Sequence, residues 1–392
     1  MTVQIVTRNM LIAVTAAVLA IGLAELASPL LFIIWERDLA MAGERPSEET
    51  KPPTWTIKHR LHHDSGVTTV AMSPNGREVS AGGILSPTIS VWDVRTGAPL
   101  RVLKGLKGST QALAYSPDGR FFAVGRGMIT LADTCVFVFQ AGTDTILQRL
   151  QPPPIVTRDA PKGVGMVESL QYSPDSQSLA VGFQGGAIGI YETATGRLTQ
   201  AVRLSTHLQG PVVFSPHGNI LVLGQWEREK GELFEHYIIQ LLDVGSGEVV
   251  KTLLGHTGAI TALAFTSDGK FLASGTSTGT ERGSLDQKTN EMVKKRNGDP
   301  IRIWNLETGS IVRELIGHVG EVQSLVFLEN ERFLVSASQD RTIKIWNMAG
   351  GELVTTLTGH DGLIDSMVLS QDRRYLISGG GGSEVKIWEQ HK

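Results

Sequence analysis

Residues 318–346 carry an alternation of apolar and polar positions that repeats along the chain. Read from Gly317, the order is a Gly-His pair, an alternating run, a polar turn, a second apolar run, an Asp-led turn and a strand ending at Trp346. Apolar residues at every second position put one face of an extended strand into a core. The alternating run recurs, as in Ile260–Phe265, and leads each time into a polar turn. These turns are Ser73-Pro74-Asn75-Gly76, Ser116-Pro117-Asp118-Gly119, Ser173-Pro174-Asp175-Ser176, Ser215-Pro216-His217-Gly218 and Thr266-Ser267-Asp268-Gly269, decaying to Leu328-Glu329-Asn330-Glu331 and Ser370-Gln371-Asp372-Arg373. A small, apolar run follows, then a strand ending at Trp92, Phe139, Tyr191, Leu242, Trp304, Trp346 or Trp388. After six of these comes a turn of the type Arg95-Thr96-Gly97 and a fourth strand. The pattern predicts seven units of four short strands, a to d.

The last unit stops at Lys392, just after its strand c, and lacks a strand d. Residues 55–61 read as a spare strand ahead of the first strand a. Pairing the two would close a ring and remove an open seam.

Four-stranded units at a period of about 40–45 residues, with the marks Gly255-His256, Gly317-His318, Gly359-His360 and Trp92-Asp93, resemble the WD-repeat (Trp-Asp repeat) β-propeller family. The resemblance covers residues 55–392. It implies an all-β, seven-bladed β-propeller of four-stranded antiparallel blades, closed by the strand at 55–61. It also implies a structural tetrad in blade six, His318, Ser336, Asp340 and Trp346, with partial sets His256, Ser274, Trp304 and His360, Ser378, Trp388. Asp, His and Ser together could suggest a hydrolase triad. A tetrad that satisfies buried polar groups is the stronger reading, because Trp recurs at the blade period and Ser336 has no nucleophile-elbow context. The third and fourth blades lack most of the set, and blades two to four are expected to be held more by apolar packing and to be looser.

The interval between the Trp-type marks is 42 residues only for the last two, 304 to 346 and 346 to 388. The longer units carry insertions, placed at about Arg126–Asp133, Gln151–Gly165, Gln225–His236 and Ser277–Pro300. Strands a to d alternate in direction. Connections b–c and d–a therefore share one face of the ring, and all four insertions fall there. Elaborated loops on one face of a repeat array commonly mark a binding face. The segment from Trp226 to Tyr237 is expected to be a protruding hairpin turning at Glu229–Gly231, with Trp226 near Leu233 or Phe234. Trp226, Phe234 and Tyr237 are candidate partner anchors. Lys294, Lys295 and Arg296 are further candidates, nearly balanced by Glu281, Asp286, Glu291 and Asp299.

Composition changes this picture mainly at the N-terminus. Residues 10–35 contain one charge, Glu25, and thirteen Leu, Ile, Val and Phe. These contribute about −4 to −8 kcal/mol towards bilayer insertion against about +3 for the acid. Residues 1–36 are expected to be a transmembrane anchor or signal-like helix, and 37–54 a Pro-containing linker. The expected arrangement is single-pass with an extracytoplasmic propeller. A cleaved signal with a secreted or periplasmic propeller, or a cytoplasm-facing one, remains open.

A formal net charge of −3 over 392 residues argues against nucleic acid as a partner. The single Cys, Cys135, excludes an internal disulfide and a multi-Cys metal site. His62-His63-Asp64 is the degenerate Gly-His position of blade one rather than a metal site, since no second ligand cluster is spaced to complete it. No phosphate-cradling loop and no cofactor are expected. The chain reads as a non-enzymatic, membrane-tethered scaffold for protein partners, its propeller monomeric by itself. Two rivals stand beside it. One is a propeller enzyme using Glu168, Glu321 and Asp365 in the central channel; the other is a binder of a cell-envelope polymer or carbohydrate.

Overall fold

The computed structural model describes residues 53–84, 86–106, 108–127, 136–154, 166–204, 207–227, 236–277, 300–328 and 331–391. The 10–35 segment, residues 37–52 of the expected linker, Cys135, Phe234, Lys294, Lys295 and Arg296 lie outside these residues, while Thr54, expected in the linker, begins the first strand. Among the described residues every element is a strand, and no helix is long and apolar enough to cross a membrane.

The strands are β1 (Thr54–His62), β2 (Val67–Met72), β3 (Glu78–Gly83), β4 (Ile89–Asp93), β5 (Pro99–Leu103), β6 (Ser109–Tyr115), β7 (Phe121–Gly127), β8 (Val136–Gln140), β9 (Ile146–Leu150), β10 (Val167–Tyr172), β11 (Ser178–Phe183), β12 (Ala187–Glu192), β13 (Leu198–Arg203) and β14 (His207–Phe214). They continue as β15 (Ile220–Glu227), β16 (His236–Asp243), β17 (Val249–His256), β18 (Ile260–Phe265), β19 (Phe271–Thr276), β20 (Ile301–Asn305), β21 (Ile311–Leu315), β22 (Val322–Leu328), β23 (Phe333–Ser338), β24 (Ile343–Asn347), β25 (Leu353–Leu357), β26 (Ile364–Leu369), β27 (Tyr375–Gly380) and β28 (Glu384–His391). Six sheets take four consecutive strands each, from β2–β5 to β22–β25. The seventh has the order β1-β28-β27-β26, all antiparallel. The chain is a seven-bladed β-propeller, and β1 supplies the outer strand of blade seven, with Thr54 opposite His391 and His62 opposite Glu384.

The core sits between blades. One cluster joins Leu61, Tyr375, Ile377 and Val385 of blade seven to Val67, Val79 and Trp92 of blade one. Another joins Val222, Ile239 and Leu253 of blade four to Ile260, Leu272 and Trp304 of blade five. A small residue in strand b makes this approach possible. A Cβ on Gly275 would stand 2.6 Å from Val322 of the next blade, and one on Gly125 would stand 2.6 Å from Val167. The polar turns between strands a and b hold themselves. In blade two, Ser116 Oγ donates to Asp118 (2.6 Å) and accepts from the Phe121 N–H (3.0 Å). The Gly of each Gly-His pair is fixed differently: Gly255 and Gly359 have φ of 143° and 130°, where a side chain is strained.

Each inner strand breaks register near its start. The skipped residue is Thr68, Gln111, Glu168, Thr261, Gln323 or Asp365, with a longer break between Leu208 and Val212 in blade four. These bulges stitch neighbouring blades. Thr68 Oγ donates to the Thr110 carbonyl (2.5 Å) and Thr261 Oγ to that of Val322 (2.6 Å). Ser169, one place beyond the bulge of blade three, accepts from the Val212 N–H of blade four (3.0 Å).

Candidate interaction face and the buried polar chains

The structure brings His318, Ser336, Asp340 and Trp346 into one hydrogen-bonded chain. Trp346 Nε1–H donates to Ser336 Oγ (2.8 Å), Ser336 Oγ lies 2.7 Å from His318 Nε2, and His318 Nδ1 lies 2.7 Å from Asp340. A carboxylate only accepts, so Nδ1 carries the proton and Nε2 accepts from the Ser336 hydroxyl. Burial disfavours the Asp340 charge. The bonds from His318 and Thr342 outweigh it and hold the carboxyl well below its ordinary range. The His318 and Asp340 side chains are 2% and 6% exposed and Ser336 is 0% exposed, so no substrate reaches the serine. The chain satisfies buried polar groups and ties the turns of the blade together.

Blade five has the same Trp304–Ser274–His256 links, at 2.7 and 2.6 Å, but a different end. Arg302 Nη1 lies 2.6 Å from His256 Nδ1, and Arg302 Nε donates to Glu314 (2.9 Å). A guanidinium only donates, so Nδ1 accepts and Nε2 carries the proton. The histidine tautomer is therefore opposite to that in blade six. Arg302 was missed in the sequence, although a basic residue stands two places before Trp in all three blades (Arg302, Lys344, Lys386). In blade seven, Trp388 and His360 bond Ser378 at 2.8 and 2.6 Å, and Gly382 stands where blade six has Asp340. Burial, with the charge of Lys386 second, lowers the His360 pKa to about 4. Lys386 itself is fully buried and paired with Glu384.

His63 is the corresponding residue of blade one and is 3% exposed, but its Nε2 has no partner. The register explains why. Ser336 lies opposite Lys344, two places before Trp346, and the same place in blade one is Ala81, opposite Ser90. Blades two to four put Val124, Val181 and Leu223 at the serine position and Phe139, Tyr191 and Leu242 at the tryptophan position; all six are buried.

On the face shared by the b–c and d–a connections, the two aromatic candidates that are described lie on one hairpin. Trp226 pairs with Tyr237, and Glu227 with His236. This corrects the expected pairing of Trp226 with Leu233 or Phe234: the partner lies three or four residues further along the chain. Arg126, read as the start of an insertion, is the sixth residue of β7, and its side chain is fully buried. It donates to Thr110 Oγ and to the Leu106 carbonyl, and burial lowers its pKa to about 10. In the channel, burial raises the pKa values of Glu168, Glu321 and Asp365, with the Asp365 charge adding to the effect on Glu321. Among the described residues no three His, Cys, Asp or Glu converge as a metal site. The opposite face has a hollow of about 420 Å³ between blades one and two, lined by Ser73, Glu78, Tyr115 and Asp118. Glu78 is already held there by Arg101 at 2.6 Å.

Residues 55–93, 247–280, 309–347 and 351–389 match the family described as WD domain, G-beta repeat. The chain carries WD40 repeats. The four WD40 matches coincide with the blades that place a histidine ahead of strand a, at His63, His256, His318 and His360. Among curated proteins, the nuclear distribution protein PAC1 of Coccidioides posadasii (strain C735) is 23% identical over 321 residues, 78% of this chain and 63% of its own. The guanine nucleotide-binding protein G(I)/G(S)/G(T) subunit beta-1 of Homarus americanus is 23% identical over 209 residues, 53% of each chain. The angio-associated migratory cell protein of Homo sapiens is 25% identical over 207 residues, 50% of this chain and 43% of its own. The chain thus spans less than two thirds of the length of each of these relatives.

Proposed function

We propose that this chain is a non-enzymatic platform for protein partners, tethered to a membrane through residues 10–35 and engaging them on the face that bears the b–c and d–a connections. The placement of all four lengthened connections on one face of a closed antiparallel ring carries the reading. A closed ring holds the strand ends that carry these connections in fixed positions around one face. The similarity to a protein named as a subunit supports assembly rather than catalysis as the role. The burial of Ser274, Ser336 and Ser378 weighs against the enzyme alternative.

The test is affinity capture on the intact chain and on a chain whose segments 228–235 and 278–299 are replaced by short Gly-Ser turns. Loss of the captured partners is expected, with Trp226→Ala and Tyr237→Ala each weakening capture. Capture that is indifferent to all of these changes would sink the reading. Protease protection of Lys392 in intact cells decides the side: protection from external protease would remove the extracytoplasmic placement.

A further inference from the structure

The interaction face has a second character where its connections are short. Ile316 and Val319, on either side of His318 between blades five and six, are 62% and 70% exposed. Leu363, in the next d–a turn, is 45% exposed, and Ile84, in the b–c turn of blade one, is 54% exposed. Isolated surface aliphatics need no account, but these four recur on one face across successive blades, which is how an interaction patch differs from scatter. The turns that hold three of them are acidic. Residues 315–323 and 357–365 contain Glu321, Asp361 and Asp365 and no Lys or Arg. Asp361 is exposed; Glu321 and Asp365 are half-buried where the turns meet the channel. Asp365 accepts from Gln339 (3.3 Å) and Glu321 from Gln323 (3.0 Å), and among the described residues neither forms an ion pair. Arg60 donates to the Gly359 carbonyl (3.3 Å) at the edge of the second turn, but its charge is shared with Glu384 (3.8 Å); Lys104 lies further round, in the d–a connection of blade one.

We propose that the sector formed by blades six, seven and one docks a basic amphipathic segment of a protein partner. Its apolar side chains would cover Val319, Ile316, Leu363 and Ile84, and its Lys or Arg side chains would face Glu321, Asp361 and Asp365. The proposal rests on the reading of this face as protein-binding and adds the chemistry of the partner. Charge complementarity selects the occupant: acids beside apolar groups favour a cationic segment and repel anionic lipid headgroups. The carboxylates are pre-formed and partly desolvated, so a cation placed there meets less screening than at an open surface.

The experiment measures anisotropy of a labelled Leu/Lys amphipathic peptide with the full chain, against a Leu/Glu peptide of equal apolar content. The Leu/Lys peptide is expected to bind, and the Leu/Glu peptide to bind at least about tenfold more weakly. Val319→Ser with Leu363→Ser, and separately Glu321→Gln with Asp365→Asn, should each weaken Leu/Lys binding by about tenfold. Asp144→Asn, 67% exposed in a c–d turn on the other face, should leave it unchanged. Equal binding of both peptides, or indifference to both pairs of substitutions, overturns the proposal. So does stronger association with phosphatidylserine vesicles than with the Leu/Lys peptide. The same double variants in the capture experiment separate the two readings: capture lost with the shortened loops but retained by these variants leaves the platform standing and removes the basic partner.

Discussion

His63 sits at the place of His256, His318 and His360 but without their hydroxyl, and the difference is one side chain. Ala81→Ser would place an Oγ between the unpartnered His63 Nε2 and Trp92, as Ser336 lies between His318 and Trp346. The expected outcome is stabilisation by about 1 kcal/mol, read as a higher melting temperature; an unchanged or lower one would show that the blade-one ring is turned away. His360 gives a pH dependence. Its folded pKa is lowered from 6.5 to about 4, so between these values the unfolded chain binds the proton and the folded chain does not. Its contribution is therefore full above about pH 6.5 and falls as the pH drops towards 4, by up to about 3 kcal/mol. Urea midpoints at pH 7 and 4.5 should differ less in His360→Gln than in the parent chain. The histidines and serines were legible because they recur at a fixed place in each unit. Arg302 was not, because its role depends on an Asp position that an insertion displaces.

Blades are held by shape as much as by these chains. The small residue after the serine position is Gly275 in blade five, and Val322 fills the space above it. Gly275→Val would drive two β-branched side chains into one volume and cost about 1–3 kcal/mol, seen as a lower melting temperature. Blade six carries Ala337 at this place, facing a cluster with Ile364, so one added methyl can be accommodated where the backbone is built for it. Strand number, order and turns followed from the alternation and the Ser-Pro-Asp-Gly marks. The bulges did not. An extra residue in an inner strand leaves no compositional trace when it is Thr, Gln, Glu or Asp, which also suit the channel. The pairing of Trp226 with Tyr237 was misjudged because the expected turn at Glu229–Gly231 set the register, and the ladder from Ile220↔Asp243 onward sets a different one.

The ring as a whole depends on one pairing that is long-range in sequence. β1 brings Trp55 and Leu61 into two different inter-blade clusters, and Lys58 to Glu389 at 2.9 Å. Removing residues 54–62 should expose the edge of β28, open the seam between blades and broaden thermal unfolding, whereas removing residues 1–50 should leave the transition in place. A truncated chain with the parent's sharp transition would show that six complete blades and three strands hold themselves. The closure was legible from a missing strand at one end and a spare one at the other. The exposed aliphatic sector was not, since burial is a property of the assembled ring.

The pairing of Thr54 with His391, 337 residues away, also sets an order of events during synthesis. β1 leaves the ribosome first and its partner last, so an apolar-faced strand waits unpaired while six blades are made. Such an edge is open to mispairing with other nascent chains for that whole interval. Pairing of β1 with β28 is the step that covers this edge.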